Sequence, residues 1–176
     1  MNDTKQVAKD LLGKTLVRKI GTQVLSGVIT ETEAYKGKND PASHASRKKT
    51  ERNKIMFGEV GVAYVYFTYG MHYCFNVVAK KKNDKAGAVL IRAIQPQQGI
   101  NHMIKNRKTD IISNLTNGPG KLNQAMQITL KQYNHDLTKK SSLFIIDSEK
   151  PNKITAKPRV GIKIGVDKLW NFSYKI

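Results

Sequence analysis

The sequence has 176 residues, with 31 lysines and arginines against 13 aspartates and glutamates, a formal net charge of +18. Hydrophobic residues make up 39 % and are spread along the whole length, enough for one ordinary core, which excludes a disordered basic tail as the main content. A field of this sign repels cationic partners and points to a polyanion, nucleic acid before an anionic membrane surface.

Asp3 to Leu12 places Val7, Leu11 and Leu12 at helical spacing and stops at Gly13, which predicts a short capped amphipathic helix. Thr15 to Ile20, a Gly21-Thr22 turn and Val24 to Thr32 alternate apolar and polar residues, the pattern of antiparallel strands with one face in a core. Lys36 to Lys54 carries seven basic and two acidic residues, few apolar anchors and an Asp40-Pro41 turn signal; it reads as an ordered loop facing a polyanion. Val60 to Val78 is the most apolar and aromatic region, and Tyr69-Gly70 reads as the tip of a hairpin within it. Lys80, Lys81, Lys82 and Lys85 form an exposed connection. Ala88 to Ile94 predicts a buried strand ended by Pro96, and Gly99 to Arg107 has weak helical character. Asn117-Gly118-Pro119-Gly120 opens a helix running over Leu122, Ala125, Met126 and Leu130, and Leu143 to Ile146 and Val160 to Ile164 read as short strands. There is no repeat, low-complexity tract or boundary, so residues 1–176 read as a single domain.

No apolar stretch approaches the ~20 residues needed to span a bilayer, and charges interrupt the segment up to Lys14 where a secretory signal would be apolar. The expectation is a chain that is not secreted and has no membrane partner, held in the cytoplasm at the nucleoid of a bacterium or in the nucleus of a eukaryote. One cysteine, Cys74, closes no internal disulfide, and no pair of histidines has metal-site spacing with a third ligand nearby, so no metal is expected.

Glu31-Thr32-Glu33-Ala34-Tyr35 closes a strand, so Glu31, Glu33 and Tyr35 share one face. Two carboxylates beside a phosphate-binding surface work against affinity. Either one takes a proton from a water that attacks a sugar or phosphorus centre, or both simply pair with nearby Lys or Arg. Tyr64, Tyr66, Tyr69 and Tyr73 hold four of the seven tyrosines; such a hairpin stacks on unpaired bases at ~1–3 kcal/mol per base, or packs as any aromatic strand does. Packing suits Tyr64 and Tyr73, whereas Tyr69 at a turn has little core to enter. His44 alone in the basic loop is the kind of histidine that usually serves a surface hydrogen bond. Gly118-Pro119-Gly120 with Lys121 reads as a helix N-terminus whose free N–H groups could take a phosphate.

Taken together, Glu31 to Tyr35, His44, Arg52-Asn53-Lys54-Ile55-Met56-Phe57, Tyr64 to Met71, Asn76, Leu90-Ile91-Arg92-Ala93, Gly118 to Leu122 and Arg159-Val160-Gly161 resemble, in order over nearly the whole chain, the alkyladenine (3-methylpurine) DNA glycosylase family. The resemblance implies an α+β domain: a curved antiparallel sheet, flanking helices, and a protruding hairpin that enters the minor groove. It implies a monofunctional enzyme acting as a monomer on double-stranded DNA with damaged purines of the 3-methyladenine, 7-methylguanine and hypoxanthine type. The enzyme flips the nucleotide, hydrolyses its N-glycosidic bond with an activated water and starts base excision repair without a cofactor. By position, Glu33 matches the general base, and Arg92 and the Val160 carbonyl match the groups that hold the water. Tyr35, His44 and Tyr66 match the walls around the flipped base, the Ala42 N–H a donor to the purine edge, and Asn76 the residue that crowds the amine of guanine. Tyr69 matches the wedge, and Thr50, Arg52, Gly120 and Lys121 match DNA contacts. Two positions depart from the family pattern: Asn171 where Arg is common and Pro41 where an acid is common.

Two other readings remain at this level. With 25 lysines, a glycosylase using a lysine nucleophile is compatible with the composition, and so is a basic nucleic-acid-binding module, for which Glu33 is an inconvenience.

Overall fold

A computed structural model describes residues 2–148 and 150–176. Its first helix, α1 (Thr4–Asp10), opens on Asp3, whose carboxylate accepts the Lys5 N–H, and it buries Ala8 against the sheet. Strands β1 (Thr15–Ile20) and β2 (Gln23–Lys36) follow as a hairpin in the predicted register, Ile20 opposite Gln23. β2 is longer than its alternation suggested and runs through Glu31 to Tyr35. Next come β3 (Ala63–Thr68), β4 (His72–Val78) and β5 (Gly87–Gln98), then α2 (Ile100–Arg107), α3 (Pro119–Ala125), β6 (Leu143–Ile146), β7 (Thr155–Lys157) and β8 (Asn171–Ser173).

The strands form one antiparallel sheet in the order β3-β4-β5-β2-β1-β6, with β8 paired to β2 and β7 to β8. β2 changes neighbours midway: its first half lies against β1, while Glu31 to Glu33 lie against β8. That exchange curls the sheet. One face is covered by the helices over Leu25, Ile29, Phe75, Val89, Ile91, Met103 and Leu122, all essentially inaccessible. The other, concave face carries Glu33 and Tyr35. This is the α+β architecture the sequence predicted, hairpin included. No helix among the described residues is long and apolar enough to cross a membrane.

Three predicted boundaries fail. Pro96 does not end β5; it pairs opposite Gly27 at a register shift, beyond the point where β4 has stopped, so the missing N–H breaks no interior ladder. The helix after Gly118 stops at Ala125 because Gln127 takes a left-handed backbone (φ 50°), and Leu130 lies exposed in a separate 3-10 turn. Val160 to Ile164 is a turn and bend rather than a strand. Its side chains find no alternating core, with Val160 and Ile164 about half exposed.

Candidate active site

Strand β2 presents Glu33 on the concave face, and two bulges beside it set its surroundings. Between Ile29 and Thr32 the pairing with β5 slips at Thr30 and again at Arg92, so Arg92 has no residue opposite it and its side chain turns to the carboxylates. Arg92 Nε lies 3.3 Å from Glu31 Oε1 and 3.6 Å from Glu33 Oε1, at ion-pair distance but without the alignment of a hydrogen bond.

Glu33 is inaccessible to solvent yet has three hydrogen-bond donors. The Val160 N–H donates to Oε1 at 2.7 Å and Asn171 Nδ2 to the same oxygen at 2.9 Å, while the Tyr35 hydroxyl donates to Oε2 at 2.8 Å. A carboxylate offers about four lone-pair positions, so one on Oε2 is left. Burial, with the Glu33 charge beside it, pushes the Tyr35 phenol well above its ordinary value, so this hydroxyl keeps its proton and stays a donor. Glu31 receives Asn171 Nδ2 at 2.8 Å and has Lys157 Nζ at 3.3 Å. Burial alone would raise its pKa, but Asn171, Arg92 and Lys157 together hold it below the usual carboxylate range.

Glu33 and Arg92 border a cavity of about 360 Å³, a size suited to a small organic group, whose walls include Tyr35, Ala42, His44, Tyr64, Tyr66, Asn76 and Val160. His44 stands edge-on to Tyr66, ring centres 4.8 Å apart, and its Nδ1 lies 3.0 Å from the Tyr64 hydroxyl. Burial and the nearby Arg52 charge hold the imidazole below its ordinary value. Burial also pushes Tyr64 up to about 12. Asn76 lies at the bottom of the hairpin, its Nδ2 donating to the Tyr64 carbonyl at 3.0 Å, which fixes the amide.

The DNA-contact candidates are placed unevenly. Tyr69 reaches the cavity mouth and is 82 % exposed at the hairpin tip. Arg52 lies exposed with its guanidinium 4.9 Å from the Tyr66 ring centre, and the Thr50 N–H donates to Asn53 Oδ1 at 2.7 Å. Buried Asn53 also donates to the His44 and Lys48 carbonyls, so it shapes the whole basic loop. Gly120 packs on His72, where a Cβ would come within 3.0 Å of the ring. At the start of the seven-residue α3 no side chain caps the helix, the Leu122 N–H makes its first bond to the Gly118 carbonyl, and the Lys121 ammonium is engaged by Asn114 and Asn117. At Val160, it is the N–H that the structure places on Glu33.

Sequence reasoning passed over four residues. Asn171 bridges both glutamates, Asn53 ties the loop, and Asp40 and Arg159 form a pair with no exposed side-chain surface. Asn171 and Arg159 stood in motifs already noted, but their partners lie more than 100 residues away, and no local pattern reports such a distance.

Comparison with known proteins came out one way. The family model for methylpurine-DNA glycosylase matches residues 1–175. A protein of Prosthecochloris aestuarii named "Putative 3-methyladenine DNA glycosylase" is 50 % identical over 95 % of this chain and 81 % of its own length. Relatives of the same name from Carboxydothermus hydrogenoformans and Clostridium novyi are 48 % and 44 % identical, each covering 98 % of this chain and 91 % and 90 % of their own.

Proposed function

This chain belongs to the methylpurine-DNA glycosylase family, DNA glycosylases that hydrolyse N-glycosyl bonds, and from that premise we propose that it draws alkylated or deaminated purine nucleotides out of duplex DNA into the Glu33 cavity and releases the base with an activated water. The observation that carries this reading is a fully buried carboxylate with three donors and one lone pair left, on the wall of an aromatic cavity in a protein of net charge +18.

In this reading Glu33 takes the proton of a water aimed at the anomeric carbon as the sugar becomes cation-like, and Arg92 and the Val160 carbonyl orient that water. Tyr35, His44 and Tyr66 sandwich the base, the Ala42 N–H meets the purine edge, and Asn76 crowds an exocyclic amine at the guanine 2-position. Extrusion costs a few kcal/mol, less for a damaged base, while each aromatic stack returns ~1–3 kcal/mol, so two walls and the Tyr69 wedge offset it. A cationic purine such as 3-methyladenine or 7-methylguanine gains further from the ring faces and leaves readily, so one base suffices; a neutral hypoxanthine needs protonation as it leaves. In this reading Thr50, Arg52, Gly120 and Lys121 contact the flanking DNA backbone. The described residues on the cavity wall include no lysine, which supports water over a lysine amine as nucleophile. The reading requires no metal or cofactor and is complete in one copy of the chain.

The test is Glu33→Gln on duplexes that each hold one lesion, with strand cleavage by hot alkali as readout. Lesion binding should equal or exceed that of the parent, since a negative charge near the DNA has gone, while single-turnover excision should fall ~10²-fold or more. Glu31→Gln, which keeps an acceptor for Asn171, should retain most activity. Parental excision by Glu33→Gln, or an inactive Glu31→Gln, would overturn the assignment.

A further inference from the structure

The buried pair of Asp40 and Arg159 lies outside the cavity, yet three of the segments that furnish the cavity meet at it. Arg159 Nη1 and Nη2 each donate to an oxygen of Asp40 at 2.7 Å, and Nη1 also donates to the Ala34 carbonyl at 2.9 Å. The guanidinium lies between two rings, 4.6 Å from the centre of Tyr35 and 5.1 Å from that of Trp170. Asp40 Oδ2 accepts the Lys36 N–H at 2.9 Å, and its carbonyl accepts the Ser43 N–H at 2.9 Å. The Trp170 carbonyl accepts the Ala34 N–H at 2.9 Å.

Three stretches of chain thus meet at one ion pair: the end of β2, the start of the basic loop, and the turn after Arg159. Each delivers one part of the surroundings of Glu33 or of the base. β2 brings the Tyr35 hydroxyl, the loop brings Ala42 and His44, and the residue after Arg159 brings the N–H that Glu33 Oε1 accepts. Taking two charges out of water is costly, and a buried pair is weak grounds for stability by itself. Its planar fork and stacking geometry are what a lysine cannot reproduce.

We propose that Arg159, held by Asp40, is a positioning residue for the Glu33 carboxylate: by fixing the plane of Tyr35 and the Val160 N–H together, it sets the direction of the one lone pair left on Oε2. The proposal rests on Glu33 acting as the base.

The test is a double-mutant cycle on a duplex carrying one 7-methylguanine, with lesion binding and single-turnover excision measured for the parent, Arg159→Lys, Glu33→Gln and the double variant, and Asp40→Asn run in parallel. In the otherwise parental chain, Arg159→Lys should leave lesion affinity within about three-fold and slow excision about ten-fold or more, because alignment rather than grip is lost. In the Glu33→Gln background the same change should alter the residual rate less than about two-fold, since nothing remains to be aimed. A purely structural role would slow both backgrounds by equal factors, and that outcome, or no slowing in either, overturns the proposal while leaving the reading of Glu33 intact. Parental excision by Glu33→Gln overturns the reading itself. Loss of the folded state in both Arg159→Lys and Asp40→Asn would make the pair a support of the whole domain and would also overturn the proposal.

Discussion

A carboxylate without solvent access is tolerable only if its lone pairs are answered, and Glu33 obtains those answers from residues 2, 127 and 138 positions away. Only the nearest, Tyr35, was visible as a neighbour in the sequence, through the period-2 rule; Val160 entered through resemblance and Asn171 only as a departure from a family pattern. The departure has a physical content. A neutral amide there bridges two carboxylates without adding a charge of its own. His44 shows the same contrast: its place in a basic loop was legible, its contacts with the Tyr66 ring and the Tyr64 hydroxyl were not. That packing has a measurable consequence. Because the folded imidazole titrates below its ordinary value of ~6.5, the unfolded chain binds the proton first as pH falls. Stability should therefore be undiminished above ~6.5 and decline from there down to the folded pKa of His44. Thermal midpoints taken from pH 7.5 to 5 should show that decline in the parent and a flatter profile in His44→Asn; equal slopes would remove His44 as the cause.

Among the elements, the hairpin of β3 and β4 was the most legible, because aromatic alternation and a glycine at the tip agree. Tyr69 and Gly70 both have positive φ, 51° and 66°, the turn whose twist matches paired strands. Asn-Gly is the ordinary choice there. A tyrosine held in that backbone region carries strain of order 1–3 kcal/mol, and at 82 % exposure its ring buries little in the free protein. Tyr69→Ala should shift the melting midpoint by under ~2 °C, as surface changes do at this chain length. It should weaken lesion affinity by about ten-fold, equivalent to ~1.4 kcal/mol of lost stacking. A large drop in melting temperature with unchanged affinity would return the ring to the core. The elements that misled were those whose apolar residues serve no core face: Val160 to Ile164 looked like a strand by composition, but its chain turns along the cavity wall with Val160 and Ile164 about half exposed.

For the molecule as a whole, net charge was legible from composition and its arrangement was not. Three of the few acids, Glu31, Glu33 and Asp40, have side chains at most 18 % exposed, so they leave the outer field to the lysines. Binding to undamaged duplex should weaken steeply with salt, the log–log slope being about 0.9 per phosphate contact, so several contacts give a slope of several units. Titration of a fluorescent duplex across a salt series measures it, and a slope near zero would deny the electrostatic footprint.

The exchange of partners along β2 also has a consequence in time. A chain emerging from the ribosome presents β1 to β5, the hairpin and the aromatic walls before β8, which gives β2 its second neighbour. The turn bearing Val160 and the strand bearing Asn171 come near the end of synthesis, and each must close a loop of more than 100 residues to reach Glu33. Contacts of that span form slowly. Until they do, Glu33 lacks two of its three donors, and under the proposed function cleavage competence should arrive last and be absent from products that terminate early.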